Sequence, residues 1–425
     1  MKKLTYLLVI SVFFGTQMFS VPLGFAELSM YRLTVLVLLM GTVLTFINKD
    51  DLSHLNHRIS FSYSTVFFFW LFYALVSVLW VENLSRWLYG TFFIAFGTIS
   101  IYFISTYLSS KRDSKRLIMI VFVMTLMHQL IGWIELLFNT YFWADLNYID
   151  KYNQFDKSIT ERVPISIFQN INDYATLILF SIFIALIVLF TSKHLLLKFI
   201  SLFMIGSGSF FIFQAGSRGN QLGLIVGLFA LALVKIMDLS ISRKIFMTAG
   251  VLAGLFVIAV ILSPAIRNFT SETISMIIET QFREGYSNRY RVHLILNSLY
   301  FLGVTFGFGV GAGNLEHWMT NHAIYEVDAR NVHNWFIEIL AGYGIVTFVL
   351  YTLMYFYMMR KLYNNFKYSN NSYIQKVSWV LLSYLFAFLF SSISSASNII
   401  IEWQWISWGV IIAFIKYSDE HAKIT

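Results

Sequence analysis

Two arginines and a histidine are the residues of this sequence best suited to chemistry. Arg218 directly precedes an apolar run, Arg291 lies ahead of the glycine-alternating segment 307–314, and His333 lies beyond that segment. An arginine fork binds a planar anion such as phosphate through two parallel hydrogen bonds. A histidine at neutral pH can accept a proton from a hydroxyl group. These residue types predict a phosphate-binding site with a base beside it.

The apolar runs that follow Arg218 and Asn331 are predicted to be helices whose N-termini face the outer side of a membrane. Free N–H groups and the helix dipole favour an anion at such an end. Arg218 would oppose the dipole there unless both share an anion, which makes its position specific. The alternative is an interfacial arginine whose side chain extends towards water.

Further polar residues accompany His333 in the segment 331–342. We expect Asn331 to cap the helix and His333 to lie in its first turn. Asn334 and Glu338 then share one helix face, four residues apart. Gly342 continues this face and would let another helix pack closely. A carboxylate one turn into a membrane is costly unless it is paired or functional, so Glu338 strengthens the prediction of a site.

Composition indicates an all-α polytopic membrane protein. Hydrophobic residues make up 58% of the 425 residues and charged residues only 12%, and apolar runs of about 20 residues recur along the chain. We expect one membrane domain, residues 1–425, with two larger outer loops at about 140–172 and 264–331. About twelve spans are predicted, starting near Leu4, Leu28, Phe61, Leu88, Leu117, Asp173, Leu195, Gly219, Ile245, Val332, Lys376 and Asn398.

The two outer loops differ in character. In the first, aromatic residues alternate with amides and carboxylates over 141–156, which suits sugar rings or an interfacial aromatic belt. In the second, we expect a surface helix around 274–282 and a further helix from about Tyr290 to Leu302. The glycine run after it predicts a tight backbone turn rather than a dinucleotide site, because no strand precedes it.

The basic residues indicate the orientation. With the N-terminus inside, 19 of the 30 lysines and arginines fall in alternate, cytoplasmic segments, and 14 of these 19 are lysines. Nine of the eleven basic residues on the outer side are arginines. Since arginine matches phosphate better than lysine does, this asymmetry favours phosphate recognition. The net charge of +8 follows from topology and these arginines, so it does not indicate nucleic-acid binding.

Neither a metal site nor another cofactor is predicted. The chain has no cysteine, which excludes disulfides and thiolate metal ligands. A metal hydrolase would need His317, His322 and His333, but their spacing matches no usual ligand pattern and no carboxylate-rich cage accompanies them.

Four segments carry a resemblance to a known family. They are FQNINDYA (168–175), GSRG (216–219), Arg291 ahead of GFGVGAGN (307–314), and HNWFIEILAGYG (333–344). In this order they resemble the O-antigen ligase and Wzy-type polysaccharide polymerase superfamily, and most of all its Gram-positive branch of teichuronic acid and capsular polysaccharide polymerases. Ile171 stands where many members have proline, and Arg289 competes with Arg291 for the family's arginine.

The resemblance implies a metal-independent glycosyltransferase in the bacterial plasma membrane, with its active site facing outside. Its donor and acceptor would be undecaprenyl-diphosphate-linked glycans, and a flippase and a chain-length regulator are candidate protein partners. Arg218 and Arg291 would stabilise the diphosphate leaving group, and His333 would take the proton of the acceptor hydroxyl or orient that hydroxyl. Substrate-binding roles are expected for Arg289, Asn334, Glu338, Asn170 and Asn172.

Two other functions stay open. A ligase that moves glycan to a different acceptor would share the donor half of this site. A lipid-linked glycan flippase or another transporter is the alternative from a different class. Alternating access is generally accompanied by repeated halves or by ionisable groups at the midplane, whereas these arginines are expected at one mouth of the bundle.

Overall fold

The computed structural model describes most of the chain: residues 1–22, 27–47, 63–144, 147, 149, 157–159, 161–238, 286–327, 330–395 and 397–422. For residues 46–47, 237–238, 286–290 and 421–422 only the backbone is described. The predicted span near Ile245 and the predicted surface helix at 274–282 lie outside these residues.

The described chain is built almost entirely of α-helices. In chain order they are α1 (Lys2–Ser11), α2 (Gly15–Met18), α3 (Met30–Ile47), α4 (Tyr63–Val76), α5 (Leu84–Tyr107), α6 (Lys111–Phe138), α7 (Ile171–Thr191), α8 (Leu195–Gln214), α9 (Arg218–Asp238), α10 (Tyr286–Val304), α11 (Leu315–Asn321), α12 (Trp335–Tyr368), α13 (Ser372–Ser391) and α14 (Glu402–Ala422). Short 3₁₀ turns follow α1 at Val12–Phe14 and α4 at Ser77–Leu79.

Within the described residues, seven helices are long and apolar enough to cross a membrane: α5, α6, α7, α8, α9, α12 and α13. The protein is therefore a multi-pass membrane protein. Shorter apolar stretches lie in α3, α4 and α10. Apart from the start near Ile245, a helix lies at or near every predicted span start, but the number of about twelve spans is not confirmed. The ten residues of α1, for example, extend only about 15 Å, half of a hydrocarbon core.

One small element was not predicted. A two-stranded antiparallel sheet, β1 (Ser20–Pro22) and β2 (Glu27–Ser29), lies between α2 and α3. Arg32 in α3 joins this hairpin to the bundle, because its Nε donates to Glu402 Oε1 at 2.6 Å and its Nη1 to the Glu27 carbonyl oxygen at 2.6 Å. The all-α prediction holds for the bundle but misses this hairpin.

An aromatic cluster lies at the centre of the bundle. The Trp70 ring lies 5.6 Å from Trp335, 5.8 Å from Tyr351 and 5.5 Å from Trp405, all in tilted or edge-on geometry. Trp335 Nε1 also donates to the Tyr351 hydroxyl at 2.8 Å. Since Trp335 is the first residue of α12, this cluster holds the start of α12 firmly in place.

A stripe of glycines lets α9 pack closely against α13. Gly219, Gly223 and Gly227 recur every four residues, which is a small-residue pattern of membrane helix interfaces. A Cβ atom on Gly219 would lie 2.2 Å from Ser394 Oγ, and one on Gly223 would lie 2.8 Å from a carbonyl oxygen of α13. The stripe therefore brings Arg218, at the start of α9, close to the segment that follows α13.

The long helix α12 is kinked at Gly344, where φ is 78° and ψ is 173°. The kink frees carbonyl groups of the preceding turn, and the glycine run supplies donors for them. The N–H groups of Val310 and Gly311 donate to the carbonyl oxygens of Ala341 and Gly342, each at 2.9 Å. Such bonds are needed because a membrane offers no water to unpaired backbone groups.

The glycine run consists of tight turns, as predicted. Gly307, Gly309, Gly311 and Gly313 have φ values between 66° and 88°. Asn314 ends the run: its Oδ1 accepts a bond from the Asn83 N–H at 2.9 Å, and its Nδ2 donates to the Asn83 carbonyl oxygen at 3.1 Å. The run is thus fixed between the kink of α12 and the start of α5.

The prediction that Gly342 lets another helix pack closely is wrong. A Cβ atom on Gly342 would meet nothing within 4 Å. The close approach is at Gly344 instead, where a Cβ atom would lie 2.6 Å from the Phe308 carbonyl oxygen. Gly342 is buried, but the position of its missing Cβ atom is open.

Candidate active site

Arg218 projects from a rigid base at the start of α9. Its side chain is exposed, whereas the neighbouring Ser217 and Asn220 are buried. Ser217 Oγ donates to Asn172 Oδ1 at 2.8 Å, and Asn220 Nδ2 donates to Ser217 Oγ at 2.9 Å and to Thr176 Oγ1 at 3.2 Å. This network ties the start of α9 to the start of α7, so the position of Arg218 is well defined.

Asn170 and Asn172, which were expected to bind substrate, have structural hydrogen bonds. Asn170 caps α7, because its Oδ1 accepts from the N–H groups of Asn172 and Asp173 at 2.8 and 3.0 Å. Its Nδ2 donates to Asp173 Oδ2 at 2.9 Å. Both asparagines therefore build the support beneath Arg218, and direct contact with a substrate stays a prediction.

Arg291 brings a second guanidinium to this site. It lies near the start of α10, which extends from Tyr286 to Val304 rather than from Tyr290 to Leu302. Burial lowers the pKa of the Arg291 guanidinium, and the positive charge of Arg218 lowers it further. No acidic side chain of the described residues pairs with either arginine. Two neighbouring guanidinium groups without a carboxylate form a site for an anion. The side chain of Arg289 is outside the described part.

The prediction that His333 lies in the first turn of α12 is wrong, because α12 begins at Trp335 and His333 lies just before it. Its φ of 51° is in the left-handed region. Its Nδ1 lies 3.4 Å from the Ser394 carbonyl oxygen. The Ser395 backbone also forms a hydrogen bond with His333. Because a carbonyl oxygen only accepts hydrogen bonds, the Ser394 contact favours the tautomer that has its proton on Nδ1 and an acceptor at Nε2.

Electrostatics connect the histidine to the arginines. Burial lowers the pKa of His333, and the positive charge of Arg291 lowers it further. The imidazole is therefore neutral at pH 7, which is the form that a base requires. Arg218 acts on Arg291 and Arg291 acts on His333, so the fold brings together three residues from distant parts of the chain.

Asn334, and not Asn331, caps α12. Its Oδ1 accepts from the N–H groups of Phe336 and Ile337, both at 3.1 Å. The prediction for Asn331 is wrong because the helix starts at Trp335, where the ring enters the aromatic cluster. Since the cap uses the oxygen of Asn334, a substrate-binding role for this residue depends on its Nδ2 group.

Glu338 lies in the first turn of α12 and binds the segment after α13. Ser397 Oγ and the backbone N–H of Asn398 both donate to its carboxylate. These bonds offset part of the cost of a carboxylate at the edge of a membrane. Glu338 therefore holds this segment in place, and a direct role in binding substrate stays a prediction.

The segment Ser391–Asn398 is the part of the site that sequence analysis missed. Its Ser394 lies against His333, and its Ser397 lies against Glu338. A signal was present, because five serines and one asparagine fall within eight residues and interrupt two apolar runs. The expected span start near Asn398 obscured it, whereas α14 begins at Glu402.

The chain is similar to TuaE. The two proteins are 27% identical over 421 residues, which cover 97% of this chain and 83% of the teichuronic acid biosynthesis protein TuaE from Bacillus subtilis (strain 168). No family model matches the chain. The predicted relationship to Gram-positive proteins of teichuronic acid synthesis is confirmed by this similarity.

Several of the arginines expected on the outer side have structural partners. Arg32 pairs with Glu402, as described above, and Arg86 pairs with Glu316 at 2.7 Å. Arg162 Nη1 donates to the Leu136 carbonyl oxygen at 3.1 Å. Phosphate recognition is therefore not the only reason for the predicted excess of arginine on the outer side, because some of these arginines fasten loops to the bundle.

His317 and His322 have a partner of their own. The Nε2 atoms of both lie near Glu82 Oε2, at 3.5 and 2.8 Å. Within the described residues, no group of three His, Asp or Glu side chains has the arrangement of a metal site. A metal hydrolase using His317, His322 and His333 together therefore finds no support here.

Proposed function

We propose that this protein is a polysaccharide polymerase at the outer face of the bacterial plasma membrane. It joins repeat units linked to undecaprenyl diphosphate, in the synthesis of a teichuronic acid-like cell-wall polysaccharide. The observation that carries the proposal is that Ser394 lies against both His333 and the start of α9, with Arg291 within electrostatic range of His333 and of Arg218. Similarity to TuaE supports the class of product, and the apolar helices fit a lipid-linked substrate.

The two arginines act on the donor. As the bond between the anomeric carbon and the diphosphate oxygen breaks, its electron pair goes to the diphosphate, whose negative charge grows. Arg218 and Arg291 donate hydrogen bonds that strengthen as this charge develops. The free N–H groups at the start of α9 add to the same positive field.

His333 acts on the acceptor. The oxygen of the acceptor hydroxyl attacks the anomeric carbon and forms the new glycosidic bond, while its proton passes to Nε2 of His333. The contact between Nδ1 and the Ser394 carbonyl oxygen favours Nε2 as the acceptor nitrogen. The lowered pKa keeps this nitrogen unprotonated before the reaction.

Contacts at the two ends of the bundle support an outward-facing site. Lys2 of α1 pairs with Asp113 of α6 at 2.7 Å. Lys416 of α14 donates to the Ser105 carbonyl oxygen at the end of α5 at 3.2 Å. The lysines of α1, α6 and α14 therefore lie at the end of the bundle where α5 ends and α6 begins. The start of α14, which Arg32 binds, belongs to the opposite end, as does the serine-rich segment before it. Under the positive-inside rule the lysine-bearing end would be cytoplasmic.

Deletion of the gene tests the proposal. Loss of a polymerase leaves single repeat units on the lipid at the outer leaflet. Loss of a ligase leaves full-length polymer on the lipid, and loss of a flippase traps single units on the inner leaflet. Mass spectrometry of extracted lipid-linked glycan, combined with a membrane-impermeant sugar-oxidising label on intact cells, separates these outcomes.

Complementation ties the phenotype to the site. Plasmid-borne wild-type protein and Arg360→Gln, which removes an exposed arginine from the far end of α12, should restore polymer. Arg291→Gln at an equal protein level should not. Normal polymer in the deletion strain, or full-length polymer retained on the lipid, would overturn the polymerase proposal.

A further inference from the structure

A cleft lies beside the start of α12, between α5, the glycine run and the segment that follows α13. The residues of its lining that matter here are Arg86, Tyr89, Glu316, Arg330, Glu338 and Gly342. Its cavity volume is about 60 Å³, and one side is open. Since a water molecule fills about 30 Å³ of liquid, this space suits the edge of one sugar ring rather than a whole oligosaccharide.

The lining combines an aromatic ring with charged hydrogen-bonding groups. Half of the Tyr89 side chain is exposed, and sugar rings stack their C–H faces on such rings. Arg86 and Glu316 pair with each other, and Ser397 donates to Glu338, but each of these groups keeps further hydrogen-bonding capacity for sugar hydroxyl groups, and Arg330 adds a second guanidinium. The two carboxylates balance the two guanidinium groups, so the lining has no net positive charge that would favour an inorganic anion, and this charged lining does not suit a lipid chain. The cleft therefore has the chemistry of a sugar site.

The cleft lies next to the proposed base but apart from the arginine pair. Asn331 and Val332 line it, and the residue that follows them is His333. Neither Arg218 nor Arg291 is part of its lining. The segment that carries His333 is thus shared between an anion site and this second, sugar-like site.

We propose that the cleft binds the sugar of the acceptor repeat unit that carries the reacting hydroxyl. This inference depends on the polymerase function proposed above. The Tyr89 ring holds one face of the sugar, and Glu338 accepts a hydrogen bond from a hydroxyl that does not react. The reacting hydroxyl then lies towards His333, where the donor is held by the arginines.

Gly342 offers a way to close the cleft without disturbing the packing. A Cβ atom on Gly342 meets nothing within 4 Å, although the residue lines the cleft. Gly342→Leu therefore fills the cleft with four carbon atoms. Gly206→Leu is the matched control, because Gly206 in α8 also has open space around its Cβ position but does not line the cleft.

The test uses full-length protein in liposomes, with lipid-linked polymer as donor and lipid-linked repeat unit as acceptor. The second probe is free repeat-unit saccharide, released by mild acid from the lipid-linked repeat unit. Gly342→Leu should raise the acceptor KM and the saccharide Kd at least about tenfold. Donor binding should not change, and Gly206→Leu should behave as wild type. An acceptor KM in Gly342→Leu equal to that of wild type would overturn the inference.

The two readouts separate this inference from the polymerase proposal. Polymer formation that is unaffected by Gly342→Leu rejects the cleft and keeps the polymerase. If Gly342→Leu weakens saccharide binding but the wild-type protein forms no polymer, the sugar site is retained and the polymerase function is rejected.

Tyr89 provides a second pair of variants if Gly342→Leu does not accumulate in the membrane. Tyr89→Ala removes the ring, whereas Tyr89→Phe keeps it. Loss of one stacking contact should weaken saccharide binding about two- to tenfold, and Tyr89→Phe should bind as wild type. Equal binding by Tyr89→Ala and wild type would reject the cleft as the acceptor site.

Discussion

Replacing His333 by asparagine tests the proposed base directly. Asparagine is chosen because residue 333 has a φ of 51°, and asparagine tolerates this left-handed conformation better than most residues. The Asn334 cap and the Trp335 packing remain intact, so α12 should begin where it does in the wild type. His333→Asn therefore removes the base with little change to the backbone.

The expected magnitude distinguishes a base from a structural residue. Loss of general-base catalysis lowers the rate by about 10²–10⁴-fold. If His333 only bound the backbone of Ser394, at 3.4 Å, and of Ser395, the loss would be two weak hydrogen bonds. Together they contribute about 1 kcal/mol, or roughly a fivefold effect. The two explanations differ by more than tenfold in rate.

The pH dependence gives an independent readout. Burial and then Arg291 lower the pKa of His333 below its ordinary value of 6.5. Because the neutral imidazole is the active form, activity should be complete above pH 6.5 and should fall as the pH drops through the lowered pKa. Arg291→Gln removes a positive charge that lowers this pKa, so the acidic limb of its residual activity should move towards higher pH.

The assay is single-turnover transfer in liposomes, with protein amount checked by immunoblot and folding by thermal unfolding. His194→Asn, at an exposed histidine before α8, is the matched control and should keep the wild-type rate. Should His333→Asn turn over within about fivefold of wild type, with its acidic limb unchanged, His333 is not the base.

Three further predictions follow from the topology, the arginine pair and the glycine run. The chain has no cysteine, so an impermeant thiol reagent added to intact cells should label Thr320→Cys and not Ser369→Cys; the reverse pattern would invert the orientation. Transfer by purified protein should continue in EDTA, and complete loss that Mg²⁺ restores would refute stabilisation of the leaving group by arginine alone. Gly313→Ala should lower the free energy of unfolding by at least about 1–2 kcal/mol, because alanine is strained at a φ of 66° and its Cβ would lie 2.0 Å from the Arg86 carbonyl oxygen. Gly303→Ala is the control and should be near neutral, because a Cβ atom there has no neighbour within 4 Å.

Local signals were sufficient to predict most of the helices. A membrane helix satisfies its backbone groups within its own segment, so an apolar run of adequate length predicts one regardless of its neighbours. Arg218 lies at the start of α9 for the same reason, because the apolar run begins directly after it. The turns of the run 307–314 were also predictable, since only glycine adopts positive φ readily at every second position.

Tertiary contacts decided the rest of the site. α12 starts at Trp335, because the packing of the Trp335 ring 5.6 Å from Trp70 fixes the helix start more strongly than a possible cap at Asn331. The kink at Gly344 is satisfied by Val310 and Gly311, which no pattern within α12 could reveal.

The chemistry of His333 likewise depends on residues that are remote in sequence. Its Nδ1 faces Ser394, and its pKa is lowered by burial and by Arg291. Composition could show an excess of arginine on the outer side, but only the fold separates Arg32, which binds Glu402, from Arg291, which has no carboxylate partner among the described residues. Residue types were readable from the sequence, whereas partners and burial were set by packing between distant segments, because charge interactions depend on distance in space and not along the chain.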